Sequence, residues 1–366
     1  MVIGVFHNND LPSRGGGFSY KSIVYNGLRS SSHEIIFIKR RKFQNIYNFC
    51  LIKLPFLFKV FRLFDTRFRN VDLLLCFEPT DFVISDTPFI YVCWDLANYY
   101  SNAFPEIQQY KSWSYTTIIK KVAIQRAFAV VVGTNVGKKQ TIDLCHIDPR
   151  KVFVIPFPAR ELPDCEVFIP NDKNEILFYP ASYWPHKNHI FLINYVKKYK
   201  NENDFNYHFV FCGADKGNLS YLKEYVRRNS LDSFFTFHEF ISNEELFRFY
   251  KTAKACVFPT LIGPDNLPPL EAMLLNCPVM VSNIPGATEQ FSESALYFEP
   301  FEHDSLYNSL KKLNDSNFRS ELIQRGFSLA SSRTESDYIK QFHNVIKFAE
   351  GYIKLCDYKN YKTKFQ

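Results

Sequence analysis

Residues 176–189 read ILFYPASYWPHKNH. The run Ile176–Tyr179 is wholly apolar rather than alternating, which suits a parallel strand covered by helices on both faces. Pro180 and Ser182 then break the run, an aromatic and basic turn carries Lys187, and a helix-like stretch follows. A charged turn just beyond the carboxyl end of a parallel strand is where an open α/β sheet holds its ligand.

The same pattern recurs in both directions along the chain. Downstream the apolar runs are His208–Cys212, Phe234–His238, Ala255–Phe258, Val279–Ser282 and Ala295–Phe298. Upstream they are Val2–Phe6, Glu34–Ile38, Asp72–Cys76, Phe89–Cys93, Phe128–Val132 and Val152–Pro156. Two such series predict an α/β protein of two doubly wound domains, and 366 residues agree with domains of roughly 100–200 residues each. Prolines and charges cluster over 156–174, so the expected division is a first domain over 1–157, a linker over 158–174 and a second domain over 175–335. Thr334-Glu335-Ser336-Asp337 has the form of an N-cap with an acid three residues on, opening a last helix towards residue 350. Residues 336–366 are expected to form that helix and a tail, packing back on the first domain.

Composition narrows the function classes. Apolar residues make up 46% of the chain and charged residues 22%, with 38 Phe and 22 Tyr. That is ample for a core, and it excludes disorder, collagen-like sequence and a disulfide-stapled miniprotein. No stretch reaches the ~18 apolar residues of a membrane span. The opening MVIGVFHNNDLPS lacks the basic, apolar and small-residue regions of a signal peptide. None of the nine cysteines forms a CxxC pair, and several lie in apolar runs, which predicts buried thiols and a reducing cytoplasm. Net charge is +7, yet Phe37–Asn70 alone holds nine basic residues and one acid, a local +8. Within it Lys59, Arg62 and Arg69 fall at near-helical spacing beside Phe56, Leu57, Val60, Phe61 and Phe64. Such a helix lies against an anionic membrane surface or packs on a core with a solvated basic face. Nothing resembles an RNA-binding motif or a DNA recognition helix, so no nucleic-acid partner is expected.

Four turns carry the polar chemistry. Gly15-Gly16-Gly17 follows the first strand and frees backbone N–H groups for a phosphate or sugar. Lys187 is a point charge placed for a diphosphate, or an ordinary solvated lysine. His186 and His189 lack a third ligand, and no metal site is expected. In Gly263-Pro264-Asp265-Asn266-Leu267-Pro268-Pro269-Leu270-Glu271, a turn opens a helix whose first N–H groups suit an anion. Glu271 there either offsets the helix dipole or accepts hydrogen bonds from a ribose diol. The fourth turn is Ser282–Glu289, a lid over a ligand or a connector.

Three segments carry a resemblance: FYPASYWPHKNH (178–189), FHEFISNEELFRFYKTAKACVFPT (237–260) and GPDNLPPLEAMLLNCPVMVSNIPGATEQFSESALYFEP (263–300). The second half resembles the retaining GT-B glycosyltransferases of glycosyltransferase family 4, on the bacterial branch that assembles O-antigen and related surface polysaccharides. The first half adds GGG, CWDLANYY…FPE and VFVIPFP. The resemblance implies GT-B architecture, two Rossmann-like domains facing a central cleft. It implies hexosyl transfer from a nucleotide-diphosphate sugar to a lipid-linked saccharide with retention, in O-antigen, lipopolysaccharide or capsule biosynthesis. It implies no cofactor and no protein-held metal. The enzyme would be cytoplasmic, peripheral on the inner face of the membrane. Lys187 matches the family's diphosphate lysine, whereas the partner arginine falls at Ser182. Glu271 matches the second glutamate of the family's E-x7-E motif, which binds ribose. The first falls at Gly263, leaving Asp265 or backbone amides for the donor sugar. A histidine on the acceptor side aligns with Trp94, which leaves Asp95 as the nearby polar group. The donor set implied is Gly16, Gly17, Ser182, Lys187, Asn188, Asp265, Asn266, Leu267 and Glu271, with Lys187 and Asp95 catalytic. The alternative is a non-catalytic protein of the same fold that binds a nucleotide sugar or scaffolds an assembly complex.

Overall fold

Short buried runs of β-branched and aromatic residues pair in register where helices can cover both faces. In the computed structural model, residues 1–7, 16–29, 33–39, 68, 70–79, 81, 87–100, 104, 113–160, 162, 174–263 and 265–355 are described. Among them, twelve strands form two parallel sheets, and each apolar run named above overlaps one of these strands.

The first sheet contains Val2–His7 (β1), Glu34–Lys39 (β2), Leu73–Cys76 (β3), Phe89–Val92 (β4), Ala129–Val132 (β5) and Val152–Val154 (β6), in the order β2-β1-β3-β4-β5-β6. Strands β3, β4 and β5 are buried at every residue. The helices Gly16–Arg29, Trp113–Arg126 and Asn135–Cys145 belong to this half. So does the closing helix Glu335–Leu355, because the first compact unit comprises Met1–Asn102, Ile107–Pro156 and Glu335–Gln366. Gly27 allows that return. A Cβ there would stand 2.4 Å from a side-chain carbon of Ile339, so only glycine lets the first and last helices approach this closely. The rings of Tyr20 and Tyr338 meet edge-on at 5.3 Å along the same seam.

The second unit comprises Ala103–Glu106 and Phe157–Thr334. Its sheet holds Asn174–Pro180 (β7), His208–Cys212 (β8), Phe235–His238 (β9), Ala253–Phe258 (β10), Val279–Ser282 (β11) and Leu296–Phe298 (β12), ordered β12-β11-β10-β7-β8-β9. Counted from β7, this is the 3-2-1-4-5-6 order of a dinucleotide-binding sheet. Among the described strands the first sheet has the other doubly wound order, with β2 and β1 outside β3 to β6. The second core is dominated by aromatic rings, among them Tyr179, Tyr183, Phe209 and Phe211. Among the described residues Cys76, Cys93, Cys145, Cys212, Cys256 and Cys277 are buried and form no disulfide.

Candidate functional site

The chain leaves β7 towards β8 and β9 on one side and returns to β10, β11 and β12 on the other. The order therefore reverses between β7 and β10, where the following loops part to opposite faces and open a crevice. Lys187 ends the short turn Pro185–Lys187 after β7. Two hydrogen bonds set that turn. The Tyr179 hydroxyl donates to the Lys187 carbonyl at 2.7 Å, and the Leu261 N–H donates to the His186 carbonyl at 2.9 Å. From there the Lys187 Nζ donates to the Asn266 Oδ1 at 2.9 Å and lies 5.2 Å from the centre of the Phe258 ring. The Asn266 amide in turn donates to the Gly263 carbonyl at 2.6 Å. Lys187 and Asn266, 79 residues apart, thus span the crevice.

Gly263 has a φ of +77°, where a side chain is strained, so the backbone itself disfavours a glutamate at this position. The helix Leu267–Leu274 follows directly. Its N-terminus offers an anion less than its sequence promises, because Pro268 and Pro269 lack N–H groups and remove two of the first four donors. Glu271 is the fifth residue of this helix, and the first turn holds no acid. Offsetting the helix dipole is therefore not its role. Its Oε2 accepts from the buried Tyr250 hydroxyl at 3.3 Å. Burial pushes the carboxyl above the usual range, while the Arg160 charge and the tyrosine bond pull the other way.

The neighbouring residues divide into those that shape this crevice and those that face it. Asn188, in the left-handed region at φ 58°, is buried, and its amide donates to the Pro300 carbonyl at 3.2 Å. It ties the turn to the end of β12. Ser182 is half-buried against the loop after β8, where a Cβ on Gly213 would stand 2.2 Å from the Ala181 oxygen and 2.6 Å from the Ser182 nitrogen. Only glycine lets these two backbones touch. Asp265 acts electrostatically on Arg333, with Glu289, and Arg333 donates to the Gln290 carbonyl. Buried His189 packs among Tyr179, Tyr183 and Phe211, and burial holds its imidazole down at about 3, with Lys187 adding to the effect. Among the described residues no group of three or more His, Cys, Asp or Glu is arranged to hold a metal ion.

In the first unit, charged groups gather at the carboxyl ends of β3 and β4. The Asp95 Oδ1 accepts from the Ala97 N–H at 3.0 Å, capping the helix Ala97–Tyr100, and pairs with the Lys120 Nζ at 3.4 Å. Lys120 also donates to the Asp95 carbonyl at 3.1 Å. Next to them buried Lys21 pairs with Glu78 at 2.8 Å, and the Trp94 indole donates to the Phe77 carbonyl at 3.1 Å. Gly16 and Gly17 start the helix after β1. Lys59, Arg62 and Arg69 lie outside the described residues. Sequence reasoning misses Lys120, Tyr250 and Arg160; Tyr250 lies within the segment 237–260, but no spacing there singles it out. Gly213 had a signal, since it follows an apolar run at a strand's carboxyl end.

Residues 166–328 match the family model described as glycosyl transferases group 1. The O-antigen chain mannosyltransferase RfbU of Salmonella typhimurium is 27% identical over 199 residues, covering 54% of this chain and 54% of that protein. The chain thus aligns with about half the length of that curated relative. Among solved structures, the sucrose-phosphate synthase of Thermosynechococcus elongatus superposes with a TM-score of 0.73 at 16% identity, over 96% of this chain and 99% of that one. HepE of Anabaena in complex with UDP-glucose superposes at 0.69 with 15% identity, over 95% and 99%. The fold of this chain is accordingly the two-unit α/β fold of the GT-B structures, and its second unit is similar to the glycosyl transferases group 1.

Proposed function

We propose that this protein is a glycosyltransferase that binds a nucleoside-diphosphate sugar in the crevice between β7 and β10 and transfers the hexosyl unit to a saccharide. The observation that carries the reading is Lys187, locked by its turn and reaching Asn266 across the point where the strand order reverses. The matched segment 166–328 contains β7, β10, Lys187, Asn266 and Glu271. A relative named an O-antigen chain mannosyltransferase and a neighbour solved with UDP-glucose support the same class of donor and product.

The chemistry follows from charge. When the sugar departs, negative charge grows on the diphosphate, and a cation already aimed at it stabilises that state without reorganising. Lys187 supplies this cation. Glu271 receives hydrogen bonds from the ribose hydroxyls. We place the acceptor against Trp94 and Asp95, whose carboxylate is held by Lys120 and orients or deprotonates the attacking hydroxyl. Transfer proceeds with retention, the hydroxyl attacking on the face the diphosphate leaves. Because Lys187 carries the leaving charge, no protein-held metal takes part. The acceptor is a lipid-linked saccharide of O-antigen, lipopolysaccharide or capsule assembly, met at the inner face of the membrane through Lys59, Arg62 and Arg69.

A thermal-shift panel of nucleoside diphosphates identifies the base, since a ligand at about 100 times its Kd adds roughly 2.7 kcal/mol of stability. Transfer of label from the matching nucleotide sugar to a saccharide acceptor, insensitive to excess chelator and giving the donor's anomer by NMR, is the expected result. Stabilisation by no nucleoside diphosphate would overturn the assignment, and binding with neither transfer nor hydrolysis would leave only a binding protein.

A further inference from the structure

Tyr250 stands near the end of the helix Asn243–Thr252, which is fixed at its start by a capping box between Ser242 and Glu245. Its ring is fully buried, edge-on to Phe178 at 5.2 Å. A buried tyrosine needs a partner for its hydroxyl, and here that partner is the Glu271 Oε2 at 3.3 Å. The pair joins the helix before β10 to the helix after it, so Glu271 is held by a ring that is itself fully buried.

A carboxylate at the end of a flexible side chain rotates about its last bond, and fixing it on binding lowers affinity. Anchoring one oxygen removes that rotation in advance. Tyr250 occupies one lone pair of Oε2, which leaves Oε1 and the second lone pair of Oε2 to accept from two adjacent hydroxyls. The 2′,3′-diol of a ribose presents two such donors side by side. A 2′-deoxyribose presents one, and its binding leaves an aimed, half-buried charged acceptor unmatched, the kind of mismatch that discriminates strongly.

We propose that Tyr250 is a positioning residue that aims the Glu271 carboxylate at a 2′,3′-diol and so makes this site selective for ribonucleoside over 2′-deoxyribonucleoside diphosphates. The proposal rests on the nucleotide reading of the crevice. It narrows the donor class to sugars activated on ribonucleotides.

Titration calorimetry on the full chain with uridine, guanosine and adenosine diphosphates and their 2′-deoxy counterparts tests it. The wild type should bind the best ribonucleotide at least tenfold more tightly than its deoxy form. Tyr250→Phe removes one hydroxyl from a packed ring and should reduce that preference three- to tenfold, weakening the ribonucleotide more than its deoxy form. A structural role alone would weaken both nucleotides equally, and that result overturns the proposal, as does a preference kept within twofold in Tyr250→Phe. Equal binding of the two forms by the wild type overturns both the selectivity and the ribose role of Glu271. No binding of any diphosphate overturns the nucleotide reading itself.

Discussion

The Lys187 ammonium and the Asn266 side-chain oxygen meet at 2.9 Å across the reversal of strand order in the second sheet. Asn266 is the residue just before the helix Leu267–Leu274, and its side chain makes no capping bond to that helix. The amide instead bridges the lysine to the Gly263 carbonyl. The Asn266 oxygen is a neutral acceptor, and a phosphate oxygen can take its place on the lysine.

Lys187→Ala should lower turnover by a factor on the order of 10²–10³, as for other preorganised charges removed from a leaving group. Asn266→Ala should cost less, because the cation remains while its aim is lost. Single-turnover transfer of labelled sugar by the two folded variants gives the comparison. Near wild-type transfer by Lys187→Ala would mean that the active site lies elsewhere.

Glu271→Gln keeps the side chain's length and removes its charge. Nucleoside diphosphate affinity should fall by about 1–3 kcal/mol, the range for a charged hydrogen bond lost. The wild type should also show a pH effect with two opposite signs. Burial raises the folded carboxyl above 4.5, so the folded state holds a proton that the unfolded state has released. Acidification through that window stabilises the fold at this group and at the same time neutralises the acceptor, weakening nucleotide binding. In Glu271→Gln the contribution of this group to both slopes should vanish. Calorimetry of the two proteins from pH 4.5 upward measures them.

His189 works in the reverse sense. Its folded value is about 3 against 6.5 for a free imidazole, so between those values the unfolded chain binds a proton that the folded chain refuses. Stability should therefore rise with pH across this window, by up to about 1.4 kcal/mol per unit from this group. The ring is enclosed by Tyr179, Tyr183 and Phe211, and His189→Phe fills the same space without titrating. Urea unfolding at pH 5 and pH 7 should show a smaller pH difference in the variant than in the wild type. An unchanged difference would assign the acid sensitivity to other groups.

Reversing Lys59, Arg62 and Arg69 to Glu takes the segment 37–70 from +8 to +2. Each basic residue near an anionic leaflet contributes about 1 kcal/mol, so flotation with anionic vesicles should drop sharply and become far less salt-sensitive. Nucleoside diphosphate affinity should hardly move, because the donor crevice lies in the other unit. Equal flotation of the two proteins would make these residues a solvated face.

The strands were legible in the chain because many are short, largely apolar runs such as Leu73–Cys76 or Phe89–Val92, and a parallel sheet buried on both faces favours that pattern. The closing helix was legible from its start signal, and the turns around Lys187 and Gly263 from their proline, glycine and charge content. What the linear chain determined by itself, then, was the alternation of strand and helix, the place of the turns and the kinds of side chain they carry, since these depend on neighbours in sequence. The order of the strands did not depend on neighbours. Nothing in the run Asn174–Pro180 states that Ala253–Phe258 rather than a nearer strand will lie beside it, yet that adjacency makes the crevice and brings Lys187 to Asn266. The same holds for Tyr250 on Glu271, Lys120 on Asp95 and Gly27 against Ile339, pairs separated by 21 and 25 residues in two cases and by most of the chain in the third. Only the tertiary structure decided these contacts, because hydrogen bonds and close packing act through space over a few ångströms and are indifferent to the length of chain between the partners.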